Sequence, residues 1–196
     1  MKVLVCVKRV PMTGGKIVLT DDASVALAVQ TADCLPILFV DRRTRAVAAA
    51  HAGWRGLAAN APGVAISRMV ADLGSRPDDL LVAIGPAIGA CCYEVGEDVR
   101  ARFADERWFH GEPLVLTGNP PMAALSAVRR PNRWFFDGWS CARAQLESAG
   151  VPHDQIFSAD LCTASHESTL CSYRRDGAAA GRMAGVIRSK KLEVRR

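Results

Sequence analysis

The sequence predicts a layered α/β domain built on a mixed sheet. Three observations predict it. The chain has 196 residues, enough for one domain with a sizeable core. Two apolar runs, LPILFVD and AVAAAH, are joined only by the charged stretch RRTR, so part of the sheet is hairpin-connected. Segments with helical spacing lie between strand-like runs without a regular strand–helix–strand alternation, which argues against an all-parallel sheet.

The elements follow in order. VLVCVKRV is a short β-like start, and GKIVLTDDASVALAVQTADC carries β-branched runs around an Asp-Asp turn. After the hairpin and HAGWRG, the residues Ile66, Met69, Val70 and Leu73 fall at helical spacing, with Gly74 as the stop. Pro62 places the start of that helix near Asn60 or Ala61, because proline fits only a first turn. LLVAIGPAIG reads as a buried strand broken at Gly85–Pro86. GEDVRARFADE reads as a helix with acids in its first turn, which suits the helix dipole. Gly111 to Pro131 is loop-rich, GWSCARAQLESAG is a helix ending at Gly150, and QIFSADLC, STLCSYRRD and GRMAGVI read as short strands.

Composition narrows the function classes. The net charge of +5 is concentrated in a tail, Arg188 to Arg196, with five basic residues and one acidic, so the rest of the chain is near neutral. No basic stripe with interleaved aromatics appears, so a nucleic-acid partner is not expected. No apolar run reaches the ~18 residues of a membrane span, and the N-terminal apolar run is too short for a signal peptide. Seven scattered cysteines without a CxxC pair fit reduced thiols and a cytoplasmic location better than a disulfide framework.

The candidate chemistry sits in TADCLPILFVDRRTRAVAAAHAGWRG. If Arg42 and Arg43 form a two-residue turn, Cys34 faces His51, with Cβ atoms ~5 Å apart on one face. That distance serves either a shared metal or a thiolate–imidazole pair. Zinc takes cysteine and histidine ligands readily, and a catalytic zinc usually has three protein ligands and an open position. A Cys–His pair also suits a metal-free hydrolase with Cys34 as nucleophile and His51 as base. Asp33 is placed to orient a neighbouring donor, and Gly53-Trp54-Arg55-Gly56 implies a sharp backbone turn beside the pair.

Beyond that stretch, IGPAIGACCYEVGEDV, DLCT, SYRRDG and GRMAGVI follow in the order seen in bacterial YfiH-like, laccase-domain proteins. The chain resembles this family from about Ser24 to Arg188. The family has been described as polyphenol oxidases, as purine nucleoside phosphorylases, and in connection with peptidoglycan editing. The resemblance implies one α/β domain over residues 1–196, a mixed sheet of the CNF1/YfiH-like type, with the basic tail at 188–196. It implies zinc bound by a His-Cys-His set, phosphorolysis of adenosine, inosine and methylthioadenosine with phosphate as co-substrate, and adenosine deamination. Cys34 matches the cysteine ligand and His51 the second histidine ligand. The family's first histidine belongs to an upstream Val-His-Gly-like motif. No histidine precedes His51 here, so the third ligand is open and the N-terminal region reads as shortened or diverged. His110, His153 and His166 remain, and His166 in TASHESTL reads as a surface-loop residue. Of Cys91 and Cys92, at most one faces a site if their segment is extended.

Phosphorolysis needs cations for phosphate, and guanidinium forks hold phosphate bidentately. Arg55 is the first candidate and is assigned with Cys34 and His51 to the catalytic set. Arg174, Tyr173 and Asp33 are assigned to substrate binding. Arg175 is excluded because neighbouring side chains on a strand point apart. Tyr173 either stacks on a base or fills the core. The partners implied are small purine nucleosides. The rival classes are a copper-dependent polyphenol oxidase, since copper also binds N/S sites in vitro, the cysteine hydrolase, and a non-catalytic remnant. A multicopper centre wants many histidines, and this chain has four.

Overall fold

Strand β3, Leu35–Asp41, is buried along its whole length in the computed structural model, which describes residues 18–20, 26–115, 117–122 and 130–189. The β-like start VLVCVKRV lies outside the described residues. β3 pairs antiparallel with β4, Val47–Ala52, on one side and with β5, Leu80–Ile84, on the other. β1, Val18–Thr20, extends the sheet beyond β4, and β9, Ile156–Ser158, extends it beyond β5 in parallel. β2, Ala26–Thr31, pairs instead with β10, Met183–Arg188, as a separate antiparallel ribbon.

Side-chain alternation assigns the two faces of the five-stranded sheet. Leu38 and Val40 of β3 with Val47 and Ala49 of β4 meet Leu27, Val29 and Ile187 of the ribbon. Leu35, Ile37 and Phe39 with Ala48, Ala50 and Ala52 face the helices. Those alanines are small, so α2, Ala61–Leu73, packs directly on β4 through Ala65, Ile66 and Met69. Next to it lies α4, Gly138–Ser148, burying Trp139, Ala142 and Leu146. The result is a helix layer, a five-stranded sheet and a two-stranded ribbon, which is the mixed α/β architecture predicted. No helix among the described residues is long and apolar enough to cross a membrane.

Helix α2 matches its sequence signals. The Asn60 side chain accepts from the Gly63 N–H at 3.3 Å, Pro62 sits in the first turn, and Gly74 ends the helix at φ 62°. Four expectations are corrected. α1, Trp54–Ala58, is a short helix where a bare turn was expected. The helix expected over GEDVRARFADE is only α3, Glu97–Arg100, and it follows β6, Glu94–Gly96. It stops because Phe103 turns inward to stack on Phe109 and Phe136, with centroids 5.6 and 4.9 Å away. β7, Phe109–His110, and β6 both pair with β8, Arg133–Phe136, in a small third sheet. The expected strand STLCSYRRD is instead capped into α5, Tyr173–Asp176, where the Ser172 hydroxyl accepts from the Arg175 N–H at 3.2 Å.

The fourth correction is the hairpin register. Val40 pairs with Val47 and Pro36 with His51, two residues away from the predicted alignment. Asp41 is the physical reason. Its buried carboxylate accepts from the backbone N–H groups of Arg43 at 2.7 Å and Thr44 at 2.8 Å. The Asp41 N–H donates to the Ala46 carbonyl at 2.9 Å, closing a four-residue loop with Arg45 at φ 69°. Burial alone would raise the Asp41 carboxyl, but these loop hydrogen bonds hold it below its usual range.

Replacing Asp41 with alanine strands two loop donors and should lower the unfolding free energy by about 1–3 kcal/mol. Because the folded pKa is depressed, this contribution is present above pH ~4 and fades as pH falls further. Urea melts of both proteins from pH 7 to pH 3 should show the gap closing in acid; a constant gap would refute the assignment.

Candidate active site

A cavity of about 600 Å³ opens where the ribbon meets the end of the main sheet, within the range of small-molecule sites. The chain between β2 and β3 supplies Asp33 and Cys34, and β4 supplies His51. Gly53 and Trp54 begin α1 beside them. Tyr93 and Phe136 form an aromatic wall, their rings edge-to-face at 5.9 Å. Tyr173 and Arg174 enter from the start of α5, and Arg182 from the residue before Met183 of β10.

The structure brings Cys34 and His51 into this one cavity, by a different alignment from the one predicted. Pro36 faces His51, so Cys34 comes against Gly53. A Cβ on Gly53 would lie 2.8 Å from the Cys34 Sγ, so the missing side chain makes room for the thiol. A register change of two residues keeps both side chains on the same face, which is why the pair survives it. Burial, then the charge of Asp33, pushes the Cys34 thiol up to about 11, with Arg182 acting in the opposite direction. Burial also lowers His51, so its imidazole is neutral at pH 7.

Asp33 sits at φ 85°, a left-handed conformation unusual for a non-glycine residue. One carboxylate oxygen accepts from the Thr163 hydroxyl at 2.6 Å and the other from the Arg174 N–H at 2.6 Å. Its carbonyl accepts from the Ile88 N–H at 2.9 Å. Asp33 therefore lines the cavity while holding the segments that surround it. Arg174 donates to the Glu94 carbonyl at 2.7 Å and lies 5.1 Å from the Tyr93 ring. Tyr173 is exposed at the rim, not packed in the core. Arg175 turns away and donates to the carbonyls of Thr163 and Leu170.

The structure does not bring Arg55 to the cavity wall. It is exposed, because α1 carries its guanidinium outward onto the Trp54 ring, 4.1 Å from the centroid. Arg182 and Tyr93 line the wall and were missed. Arg182 had no local signal, since only the β10–β2 pairing brings it here. Tyr93 lies within IGPAIGACCYEVGEDV, where nothing local marks it as facing a cavity. Burial foremost pushes its hydroxyl up to about 12, so it remains a donor at neutral pH. None of His110, His153 and His166 lines the cavity. His153 bonds Glu147 and His166 bonds the Cys162 carbonyl.

A soft thiol and a neutral imidazole in an aromatic, cation-edged cavity form a small-molecule site with donors suited to zinc or copper. The chain belongs to the laccase-domain family, whose model, described as multi-copper polyphenol oxidoreductase laccase, matches residues 4–190. It is 38% identical over 160 residues to Purine nucleoside phosphorylase YfiH of Escherichia coli, covering 82% of this chain and 58% of that protein. It is 37% identical over 168 residues to Purine nucleoside phosphorylase YlmD of Geobacillus stearothermophilus, covering 86% and 57%. The crystal structure of that YlmD matches with a TM-score of 0.75 and 35% identity, over 91% of this chain and 62% of that one. The structure of Bacillus licheniformis hypothetical protein YfiH gives the same TM-score at 31% identity, over 89% and 61%. The chain thus spans less than two thirds of these relatives.

A methyl group at residue 53 should displace the Cys34 thiol. Gly53→Ala should speed iodoacetamide labelling of Cys34 severalfold while far-UV circular dichroism is unchanged. In metal-free wild type, iodoacetamide labelling of Cys34, read by peptide mass mapping, should rise about tenfold per pH unit between pH 8 and 10. A plateau below pH 9 would contradict the raised thiol.

Proposed function

We propose that this chain catalyses zinc-dependent phosphorolysis of purine nucleosides (adenosine, inosine and methylthioadenosine), with adenosine deamination at the same site. One observation carries the reading: a single cavity gathers Cys34, His51, an aromatic wall and two arginines. The names of the E. coli and G. stearothermophilus relatives support the phosphorolysis.

Zinc held by Cys34 and His51 would supply Lewis acidity beside the substrate. In phosphorolysis a phosphate oxygen bonds to the ribose anomeric carbon while the glycosidic bond breaks. Its electron pair leaves with the purine nitrogen, which gains a proton, giving free base and ribose 1-phosphate. Arg174 and Arg182 bring positive charge to the wall where phosphate would sit. The protonated Tyr93 hydroxyl can donate to the departing base, and the rings of Trp54, Phe136 and Tyr173 offer faces for it. Asp33 acts by holding Arg174 in place. Arg55 stays outside the wall and contributes charge only at a distance. In deamination, water adds at the purine carbon bearing the amino group and ammonia departs, leaving inosine.

The metal-free hydrolase reading fits less well. A thiol raised to about 11 beside a neutral imidazole does not provide a thiolate–imidazolium pair at pH 7. The copper reading draws on the family description and is decided by metal content.

Purified chain incubated with adenosine, with and without phosphate, should yield adenine and ribose 1-phosphate only with phosphate, and inosine in either case. Zinc-loaded protein that forms none of these would sink the proposal, as would phenol oxidation by copper-loaded protein alone. Cys34→Ala and His51→Ala should each lower turnover by roughly 100-fold or more. Arg182→Ala should raise the phosphate KM about 10- to 100-fold, matching loss of a charged hydrogen bond.

A further inference from the structure

Three of the six described cysteines converge away from the cavity. The Sγ atoms of Cys91, Cys92 and Cys162 all lie within 4.8 Å of one another, and all three residues are buried. None of them lines the cavity. The extended segment on which the sequence reading of Cys91 and Cys92 was conditional is absent, and neither residue faces the Cys34–His51 cavity. The segment is not extended: the N–H groups of Cys92 and Tyr93 both donate to the Gly89 carbonyl at 2.9 Å, closing a turn that sends both side chains the same way. Cys162 joins them through a parallel bridge between its own segment and Ala87. The Asn119 side chain fixes that segment further, accepting from the Cys162 N–H at 2.6 Å.

A buried cysteine is commonly just a small apolar group, but this cluster has polar surroundings. The Gly89 N–H donates to the Cys162 Sγ at 3.4 Å. The Ser165 hydroxyl oxygen lies 3.4 Å from the Cys92 Sγ and 3.7 Å from the Cys91 Sγ. A backbone N–H aimed at one sulfur, with a hydroxyl oxygen beside the other two, is the kind of surrounding a thiolate site uses.

We propose that Cys91, Cys92 and Cys162 are ligands of a second, structural zinc ion, with the Ser165 hydroxyl oxygen as the fourth donor. Zinc–sulfur bonds of about 2.3 Å set tetrahedral sulfurs ~3.8 Å apart, so the observed cluster closes on the ion by side-chain rotation of about an ångström. On binding, three S–H groups release their protons to solvent, three zinc–sulfur bonds form and nothing is oxidised or reduced. The ion would pin the chain between Ile88 and Tyr93, both in the cavity wall, to the segment whose Thr163 holds Asp33.

The test uses the full chain carrying Cys34→Ala and His51→Ala, so that the cavity donors play no part. Cobalt added to the reduced, metal-stripped protein should bind one equivalent with near-ultraviolet thiolate-to-cobalt absorption and four-coordinate visible bands. Zinc should displace it and raise the Tm. Adding Cys162→Ala, or separately Cys92→Ala, should weaken metal binding at least 100-fold and abolish the Tm shift. Cys141→Ala, a buried cysteine elsewhere, should change neither. The proposal is overturned if folded protein gives no thiolate–cobalt absorption. It is equally overturned if Cys141→Ala and Cys162→Ala behave alike, or if non-reducing mass spectrometry finds two of the three cysteines joined as a disulfide. None of these outcomes depends on nucleoside turnover.

Discussion

The carboxylate of Asp33 holds the cavity together. Its two side-chain oxygens and its carbonyl accept from Thr163, Arg174 and Ile88, all far from it along the chain. A carboxylate can do this because it offers several lone pairs and no donor of its own. The left-handed backbone at φ 85° aims it at both partners and turns the chain from the ribbon into the main sheet. Cys34 follows immediately, so its position depends on the same turn. The backbone cost at this residue is of the order found at sites where function constrains geometry.

The core explains why the cavity lies where it does. β3 is covered on both faces, by helices on one and the ribbon on the other. Alanines on β4 let α2 approach closely, so the helix side is filled. On the ribbon side, packing gives way to Gln30, Thr31 and the residues after them, and the layers part. Gly53 extends the logic of small residues into the site, because the space it leaves is taken by the thiol.

Much of this was legible in the sequence, and the failures have identifiable causes. Helix α2 could be placed to the residue because Asn60, Pro62 and Gly74 each act locally. Cys34 and His51 do line one cavity, although the register from which their cross-strand pairing was read does not hold. The turn was judged from Arg42 and Arg43, whereas the Asp41 carboxylate organises the loop. The sequence favours Arg55 over Arg174, yet Arg55 sits exposed on a short helix outside the cavity wall, while Arg174, at the start of the Ser172-capped helix, lines it. Treating SYRRD as a strand still excluded Arg175, and the structure shows it engaged with backbone carbonyls instead. Arg182 could not be read at all, because its place depends on a pairing between strands about 150 residues apart.

That last pairing bears on how the protein is made. β2 is synthesised about 150 residues before β10, its pairing partner among the described residues. Until β10 is made, β2 can pack Leu27 and Val29 on the main sheet but has neither a paired edge nor Ile187 beside it, and the cavity lacks the wall that carries Arg182. Translation therefore leaves β2 with an unpaired edge while the intervening residues are made, a state open to capture by chaperones or by neighbouring nascent chains. The cavity wall is completed in one step, when β10 docks on β2 and carries Arg182 into place.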